Sequence, residues 1–152
     1  MKALTKVLMG AAALVLLTGC GPQKVSYDKF HEKAVAAHDK GHSYTKAKIS
    51  GSSESSGSTT KYDKVEFVLA SGVWQPKEVS LTNIVLSAFV GMEAYTIGED
   101  EDSTYYAGNG FKVTMKNDDG KGSASFNAAG LLTSYRVESG SNKYNFSISY
   151  SK

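Results

Sequence analysis

The stretch that decides the fold is FKVTMKNDDGKGSASF, residues 111–126, which alternates apolar and polar residues on both sides of a central turn. The apolar positions of this alternation are Phe111, Val113, Met115, Ala124 and Phe126. A period of two residues is typical of a β-strand with one buried and one solvated face. The turn contains Asp119-Gly120, a pair that tolerates positive φ. The stretch therefore predicts an antiparallel hairpin.

The same alternation continues to the end of the chain, over residues 131–139 and 144–151. Turn-forming residues, mostly glycine and asparagine, separate these runs. We therefore predict a meander of four or five antiparallel strands in the last third of the chain. With an earlier strand, the meander is expected to present one apolar face made of Phe67, Leu69, Phe111, Met115, Phe126, Tyr135, Phe146, Ile148 and Tyr150.

Another hairpin is predicted further back, from residues 44–52 and 58–71 around a serine-rich tip at 53–57. The tip is low in complexity but short, which favours a loop over a domain linker. Residues 72–76 are interpreted as an irregular turn that closes this section.

Two segments have helical spacing. Residues 27–41 predict an amphipathic helix with Ser26 as N-cap and Gly41 as its stop. Residues 80–95 return to apolar steps of three and four. The apolar residues of this second segment are Leu81, Ile84, Val85, Ala88, Phe89 and Met92. It is too short to span a membrane, so we expect either a core helix or a lid.

Together these elements predict an α+β fold. We expect a curved antiparallel β-sheet of about six to seven strands, covered by an N-terminal helix and a second mid-chain helix. The chain has a single cysteine, so an internal disulfide is excluded. A domain of roughly 130 residues is large enough to be stabilised by its hydrophobic core without disulfides.

That cysteine, Cys20, ends an apolar run near the start of the chain. Residues 1–6 carry two lysines and residues 7–17 are apolar, which is the layout of a secretory signal peptide. The sequence Leu17-Thr18-Gly19-Cys20 resembles the lipobox of bacterial lipoproteins. This resemblance implies cleavage before Cys20, whose thiol and new amino terminus then carry acyl chains that hold the protein on a membrane. The alternatives are an N-terminal membrane helix or an ordinary secretory signal with a chance cysteine.

The lipobox divides the chain into a lipoprotein signal peptide at 1–19, a lipidated tether at 20–26 and a single domain at 27–152. It implies a location outside the cytoplasm, anchored by lipid to the cell membrane. In a host with two membranes the outer one is favoured, because residue 21 is Gly and not the Asp that favours retention at the inner membrane. From Cys20 onward the chain carries 15 basic and 15 acidic residues, and this neutral balance argues against a basic surface for nucleic acid or anionic headgroups.

The order of helix, hairpin, helix and meander behind a lipobox resembles the open half-barrel of the LolA and LppX group of lipoprotein carriers and lipid-binding lipoproteins. That resemblance implies a lipid or other apolar ligand between the concave sheet face and the helical lid. The residues expected to line such a site are Trp74, Leu81, Val85, Phe89, Phe111, Met115, Phe126, Tyr135 and Phe146. Alternatively, these side chains form a packed core, and the protein is a surface-displayed module that recruits another envelope protein.

Other chemistry finds little support in the sequence. Three histidines, His31, His38 and His42, fall on one side of an ideal helix, but the expected helix end at residue 41 precedes the last of them. The acidic runs at 99–102 and 118–119 lack EF-hand spacing. The sequence contains no serine-hydrolase elbow, zinc-protease motif or phosphate-binding loop. We therefore expect a protein that is not an enzyme and uses no metal or cofactor.

Overall fold

The computed structural model describes residues 21–152, and the predicted signal peptide with Cys20 lies outside them. Within these residues the chain forms nine β-strands, two α-helices and one 3-10 turn. The strands are β1 Gln23–Val25, β2 Lys46–Ser55, β3 Ser58–Ala70, β4 Val73–Pro76, β5 Ser103–Gly108, β6 Gly110–Asn117, β7 Gly120–Phe126, β8 Leu132–Ser139 and β9 Asn142–Ser151. The helices are α1 Tyr27–Lys40 and α2 Leu81–Leu86, and the 3-10 turn is Ala94–Thr96.

All nine strands belong to one antiparallel sheet, in the order β1-β5-β6-β7-β8-β9-β2-β3-β4. An antiparallel sheet with helices against it is confirmed, but six to seven strands are too few. The two strands that the sequence did not predict are the edges of the sheet, β1 and β4. With three and four residues, they are too short to display a two-residue period, and pairing orders them, with the distant β5 for β1 and with the preceding β3 for β4.

Strand β1 lies within the segment expected to be a tether. Its residues Gln23, Lys24 and Val25 pair with Ala107, Tyr106 and Tyr105 of β5. Only Gly21 and Pro22 therefore separate Cys20 from the sheet. The folded body begins almost directly after the predicted anchor.

Helix α1 starts and ends as the sequence predicts. The Ser26 side chain caps its first turn by accepting a hydrogen bond from the Lys29 N–H at 3.2 Å. Gly41 follows the last turn with a φ of +70°, a conformation that glycine adopts without a Cβ clash. The buried residues of the helix are Phe30, Ala34 and Ala37, and they attach it to one face of the sheet.

The second predicted helix, over 80–95, is wrong in length. Only Leu81–Leu86 is helical, and Ser80 caps it by accepting a hydrogen bond from the Asn83 N–H. The chain then turns, reaching a φ of +81° at Gly91. The indole of Trp74 lies so close to Gly91 that a Cβ there would clash with the ring. A long helix is incompatible with this turn, which periodicity alone does not reveal.

Residues 86–97 cross the sheet beside α1 and complete its cover. Val90 and Ala94 are buried in this segment. Two backbone hydrogen bonds of 2.8 Å fix it to the sheet, from the Leu132 N–H to Met92 and from the Ala94 N–H to Gly130. Within residues 21–152, no helix is both long and apolar enough to cross a bilayer.

The core lies between this helical layer and one face of the sheet, which we call the covered face. Register confirms that the predicted apolar residues share this face, since Phe111 pairs with Phe126 and Tyr135 pairs with Phe146. The largest fully buried side chains are Phe30, Ile49, Phe67, Leu86, Leu131, Leu132 and Phe146. No polar or charged residue is buried among the described residues, so apolar packing holds the core.

Candidate functional site

A groove of about 730 Å³ opens on the opposite face of the sheet, which we call the uncovered face. Residues of seven consecutive strands line it, from β5 through β6, β7, β8, β9 and β2 to β3. On β7 the lining residues are Lys121, Gly122 and Ser123. Gly122 pairs with the apolar Met115 and Val137 of the covered face, so its two neighbours point the other way. The polar half of the alternation therefore forms the groove.

Seven strands can line one groove only where the sheet curls toward its uncovered face. Strands about 4.8 Å apart would spread seven of them over about 29 Å in a flat sheet. A bulge between β2 and β3 adds to the twist: Lys64 has a φ of +51°, and its N–H donates to the Ser50 hydroxyl at 2.8 Å. Gly51, beside the bulge, lies against the Asn145 backbone with no room for a Cβ. These features let β3, β2 and β9 curl around the groove.

The groove carries charges of both signs around small hydroxyl side chains. Its charged residues are Glu54, Asp102, Lys116, Lys121, Arg136, Glu138 and Lys143. Lys143 Nζ lies 3.9 Å from Glu54 Oε1, a loose ion pair across β9 and β2. Thr114 and Ser123 are half-buried in the lining. The surface thus offers hydrogen-bond donors, acceptors and both charges to a polar ligand.

The nine residues predicted to line an apolar site do not meet in one place. Met115 is the only one of them among the groove-lining residues, where its strand forms part of the wall. Phe111, Phe126 and Phe146 are at most 4% exposed and belong to the core. Those three side chains contact α1 and the residues 86–97 segment, not a solvent-filled space.

Three further predicted residues are half-buried aromatic groups. The rings of Phe89 and Tyr135 lie 5.1 Å apart between centroids, and Phe89 also lies 5.0 Å from Phe146. Trp74 packs edge-on against Tyr150 with centroids 5.6 Å apart. Such contacts are those of a filled interior, which agrees with the packed-core alternative.

The last two predicted residues are in solvent. Leu81 is 84% exposed and Val85 is 65% exposed, and Val79 and Ile84 beside them are exposed as well. We call these four residues the α2 patch. Their exposure argues against the core-helix interpretation of this segment. Soluble domains seldom leave a cluster of large aliphatic side chains uncovered unless it serves an interaction.

His38 connects the two parts of the helical layer. Its Nδ1 lies 2.8 Å from Glu93 Oε1, and its ring centroid is 4.2 Å from that of Tyr95. The hydrogen bond to the carboxylate raises the pKa of His38 above its usual value. In the part of the chain that the structure describes, no three His, Cys, Asp or Glu side chains converge as metal ligands do.

The groove is the part of the site that the sequence reasoning missed. The alternation correctly assigns its residues to the solvated faces of the strands. Which end of that face is concave depends, however, on twist and bulges formed between strands distant in the chain. The available signal was compositional, since the outward positions of β7, β8 and β9 are rich in Ser, with Lys, Arg, Glu and Asn.

No family model, no curated protein and no solved structure matches the chain. Any proposal for its function therefore rests on its sequence and geometry. The likeness to the LolA and LppX group therefore stays a prediction from the lipobox and the order of elements.

Proposed function

We propose that this chain is a lipid-anchored protein outside the cytoplasm that binds a polar segment of an envelope protein in the groove on its uncovered face. Acyl chains on Cys20 hold it on the membrane, and it performs no catalysis. The observation that carries the binding proposal is the groove itself, in which seven strands present polar side chains around one concavity of about 730 Å³.

The charge pattern of the groove supports a protein partner over a simple ion. Cations and carboxylates alternate across β7, β8, β9 and β2, where Lys121 lies opposite Glu138, Glu138 opposite Lys143, and Lys143 opposite Glu54. Mixed charges of this kind favour a partner with a matching pattern, because like charges brought together are costly. A peptide segment with alternating polar side chains meets that condition.

Site-specific crosslinking on intact cells tests this proposal. A photoreactive residue at Ser123, inside the groove, is expected to give an adduct of one defined mass. The matched control is Ser149, which is exposed on the uncovered face but does not line the groove. Identical adducts from both positions, or none from Ser123, would contradict the proposal.

Charge reversal sharpens the same experiment. Lys121→Glu with Arg136→Glu is expected to abolish the Ser123 adduct, because both residues line the groove. The control Lys33→Glu changes an equally exposed charge on α1, so it should leave the adduct intact. An adduct that survives the groove double variant would show that these charges do not contribute to recognition.

The anchor is tested separately by the mass of the N-terminal peptide. We expect the processed protein to begin at Cys20 and to carry acyl chains, and Cys20→Ala to remain an unprocessed precursor. Stable membrane binding by an unmodified N-terminus would contradict the lipobox assignment.

The α2 patch favours a second candidate function, the binding of a lipid or other apolar ligand under α2. Leu81 and Val85 are exposed beside the partly buried Phe89, so movement of α2 would join them into one apolar surface. Native mass spectrometry of the protein from its own host is expected to show a co-purifying lipid, and Phe89→Ala to reduce its amount. A protein that carries no lipid would remove this candidate.

A further inference from the structure

The turns of the sheet lie at two opposite ends. One end contains Gly21 and the turns at Gly108–Gly110 and Asn127–Leu131. The other contains the turns at residues 117–120 and 139–142, next to the groove. We call them the Gly21 end and the groove end. Six residues of β6 separate Lys112 from Asp118, which is about 20 Å along an extended strand.

The fold gathers lysine without carboxylates at one part of the Gly21 end, although the chain from Cys20 onward is neutral in sum. On β1, β5, β6, β7 and β8, the Gly21-end residues 23–25, 105–113 and 123–134 contain no Asp or Glu. Their charged residues are Lys24 and Lys112, both exposed, whereas Lys48 of β2 lies opposite Glu66 of β3. The nearest carboxylates of the helical layer, Asp39 and Glu93, lie on the covered side next to Lys40 and His38. The groove end mixes both signs.

Two of these lysines form a row with an aromatic residue beside Gly21. Register places Lys24 opposite Tyr106, and Tyr106 opposite Lys112, on the uncovered face of β1, β5 and β6. Lys112 Nζ lies 5.9 Å from the centroid of the Tyr106 ring. Lysine and tyrosine side chains together are typical of surfaces at the membrane–water interface, where amphipathic groups meet headgroups.

We propose that the Gly21 end of the sheet lies against the bilayer, with Lys24, Lys112 and Tyr106 in contact with anionic headgroups. This inference rests on the lipid anchor of the proposed function. Because only Gly21 and Pro22 join Cys20 to β1, the strand enters the fold within about 11 Å of the anchor. The Gly21 end is then the part of the body that reaches the headgroups.

In this orientation the anchored protein has a defined height and tilt relative to the bilayer. The groove begins at Thr114, about 7 Å along β6 from Lys112, and extends away from the membrane toward the groove end. Each lysine near an anionic surface strengthens the attachment by about fivefold at ordinary salt, and salt weakens it. The two-residue link therefore sets the distance between the sheet and the membrane. The lysines of the row set the tilt of the sheet relative to the membrane.

Fluorescence quenching on vesicles tests the orientation with the full lipidated chain. Because Cys20 is the chain's only cysteine and is acylated, Asn109→Cys or Ser141→Cys gives a single free thiol for a fluorophore. Both positions are exposed turn residues, one at the Gly21 end and one at the groove end. In vesicles of phosphatidylcholine and phosphatidylglycerol in equal parts, a headgroup-attached quencher is expected to quench the residue-109 label several-fold more than the residue-141 label.

Two comparisons isolate the lysines. Lys24→Gln with Lys112→Gln, or vesicles of phosphatidylcholine alone, should reduce the difference between the two labels. The control Lys121→Gln with Lys143→Gln removes as many charges from the groove end and should leave the difference unchanged. Equal quenching at both labels, or a difference unaffected by the first pair and by the lipid, would overturn the proposal.

Flotation of the same vesicles keeps this test distinct from that of the anchor. Protein that fails to float and carries no acyl mass on Cys20 overturns the anchor, and with it the orientation. Protein that floats but quenches equally at both labels overturns the orientation alone.

Discussion

Along β9, Phe146 and Ile148 point into the core and are 2% and 4% exposed, whereas Asn145 and Ser147, which alternate with them, point to the other side and are exposed. Both sets lie on one strand with the same backbone hydrogen bonds. Their difference in environment comes only from what packs on each face. The covered face carries the apolar area that stabilises the fold, and the polar side chains of the uncovered face contribute little to that stability.

The largest expected effect contrasts these two faces directly. Phe146→Ala removes a fully buried ring that contacts Phe89, Tyr135 and Tyr62, so we expect a loss of about 4 kcal/mol in the free energy of unfolding. Ser147→Ala, one residue along, should change it by less than about 0.5 kcal/mol. Urea unfolding of both variants measures the difference. Similar losses would mean that the uncovered face is also packed.

A second variant tests the turn that ends the helical spacing on the covered face. Gly91→Ala forces a Cβ against the Trp74 indole at a positive φ, and we expect a loss of about 2 to 3 kcal/mol. Because Trp74 is the only tryptophan, its emission should shift as the ring is displaced. The matched control is Gly98→Ala, which meets no neighbouring atom and should leave the emission unchanged. An unchanged emission in Gly91→Ala would show that this contact does not fix the turn.

A third variant removes one polar group from the edge of the core. The Tyr150 hydroxyl donates to the Leu132 carbonyl at 2.7 Å and accepts from the Gly91 N–H at 3.0 Å. Tyr150→Phe leaves both partners without this bond, so we expect a loss of about 1 to 2 kcal/mol. Tyr106→Phe, on the uncovered face, should cost less than about 0.5 kcal/mol. Equal losses in the free energy of unfolding would show that a tyrosine hydroxyl contributes the same on both faces.

The pH dependence of Tyr150 follows from the same site. Burial raises the pKa of Tyr150 to about 12, above the usual value of 10, because the ionised form loses hydration. The folded state therefore holds the proton more tightly than the unfolded state. This contribution to stability is complete below pH 10 and is lost as the pH rises toward 12. Tyr150→Phe should flatten that part of the stability profile, and an unchanged profile would argue against the buried hydroxyl.

The smallest expected effect concerns the helical layer above the covered face. The bond to Glu93 raises the pKa of His38, so Glu93→Gln should return it toward about 6.5. The bond stabilises the fold below pH 6.5, and this contribution disappears as the pH rises through the raised value. NMR titration of the His38 ring measures the change. The ring of His31, which has a different environment on α1, serves as the internal control.

The sequence predicts the elements whose local pattern is complete. Helix α1 has its cap, its stop and its apolar face within 16 residues from Ser26 to Gly41, and it is correct at both ends. The meander has a two-residue period and turn residues, so β6 to β9 and their covered face follow from local physics. In each case the residues that determine the element lie inside it.

The features that the sequence does not predict depend on partners outside the element itself. Strand β1 pairs with β5, about 80 residues along the chain, and the four residues of β4 are ordered by pairing with β3. In the sequence alone, a single glycine at residue 91 is compatible with a helix. Only the fold shows that the Trp74 indole packs against Gly91 at the turn. The charge balance shows the same limit: a neutral sum gives no sign that Lys24 and Lys112 lie together on strands whose Gly21 end carries no Asp or Glu.

The pairing of β1 has a mechanical consequence for a protein anchored at Cys20. The chain enters β1 from Gly21 along the strand axis, so a pull from the lipid loads the three β1–β5 residue pairs in shear, all at once. If they yield, the next resistance comes from Tyr27, whose hydroxyl donates to the Ile97 carbonyl at 2.9 Å. If Cys20 carries acyl chains as proposed, force on them would reach the sheet through this short joint.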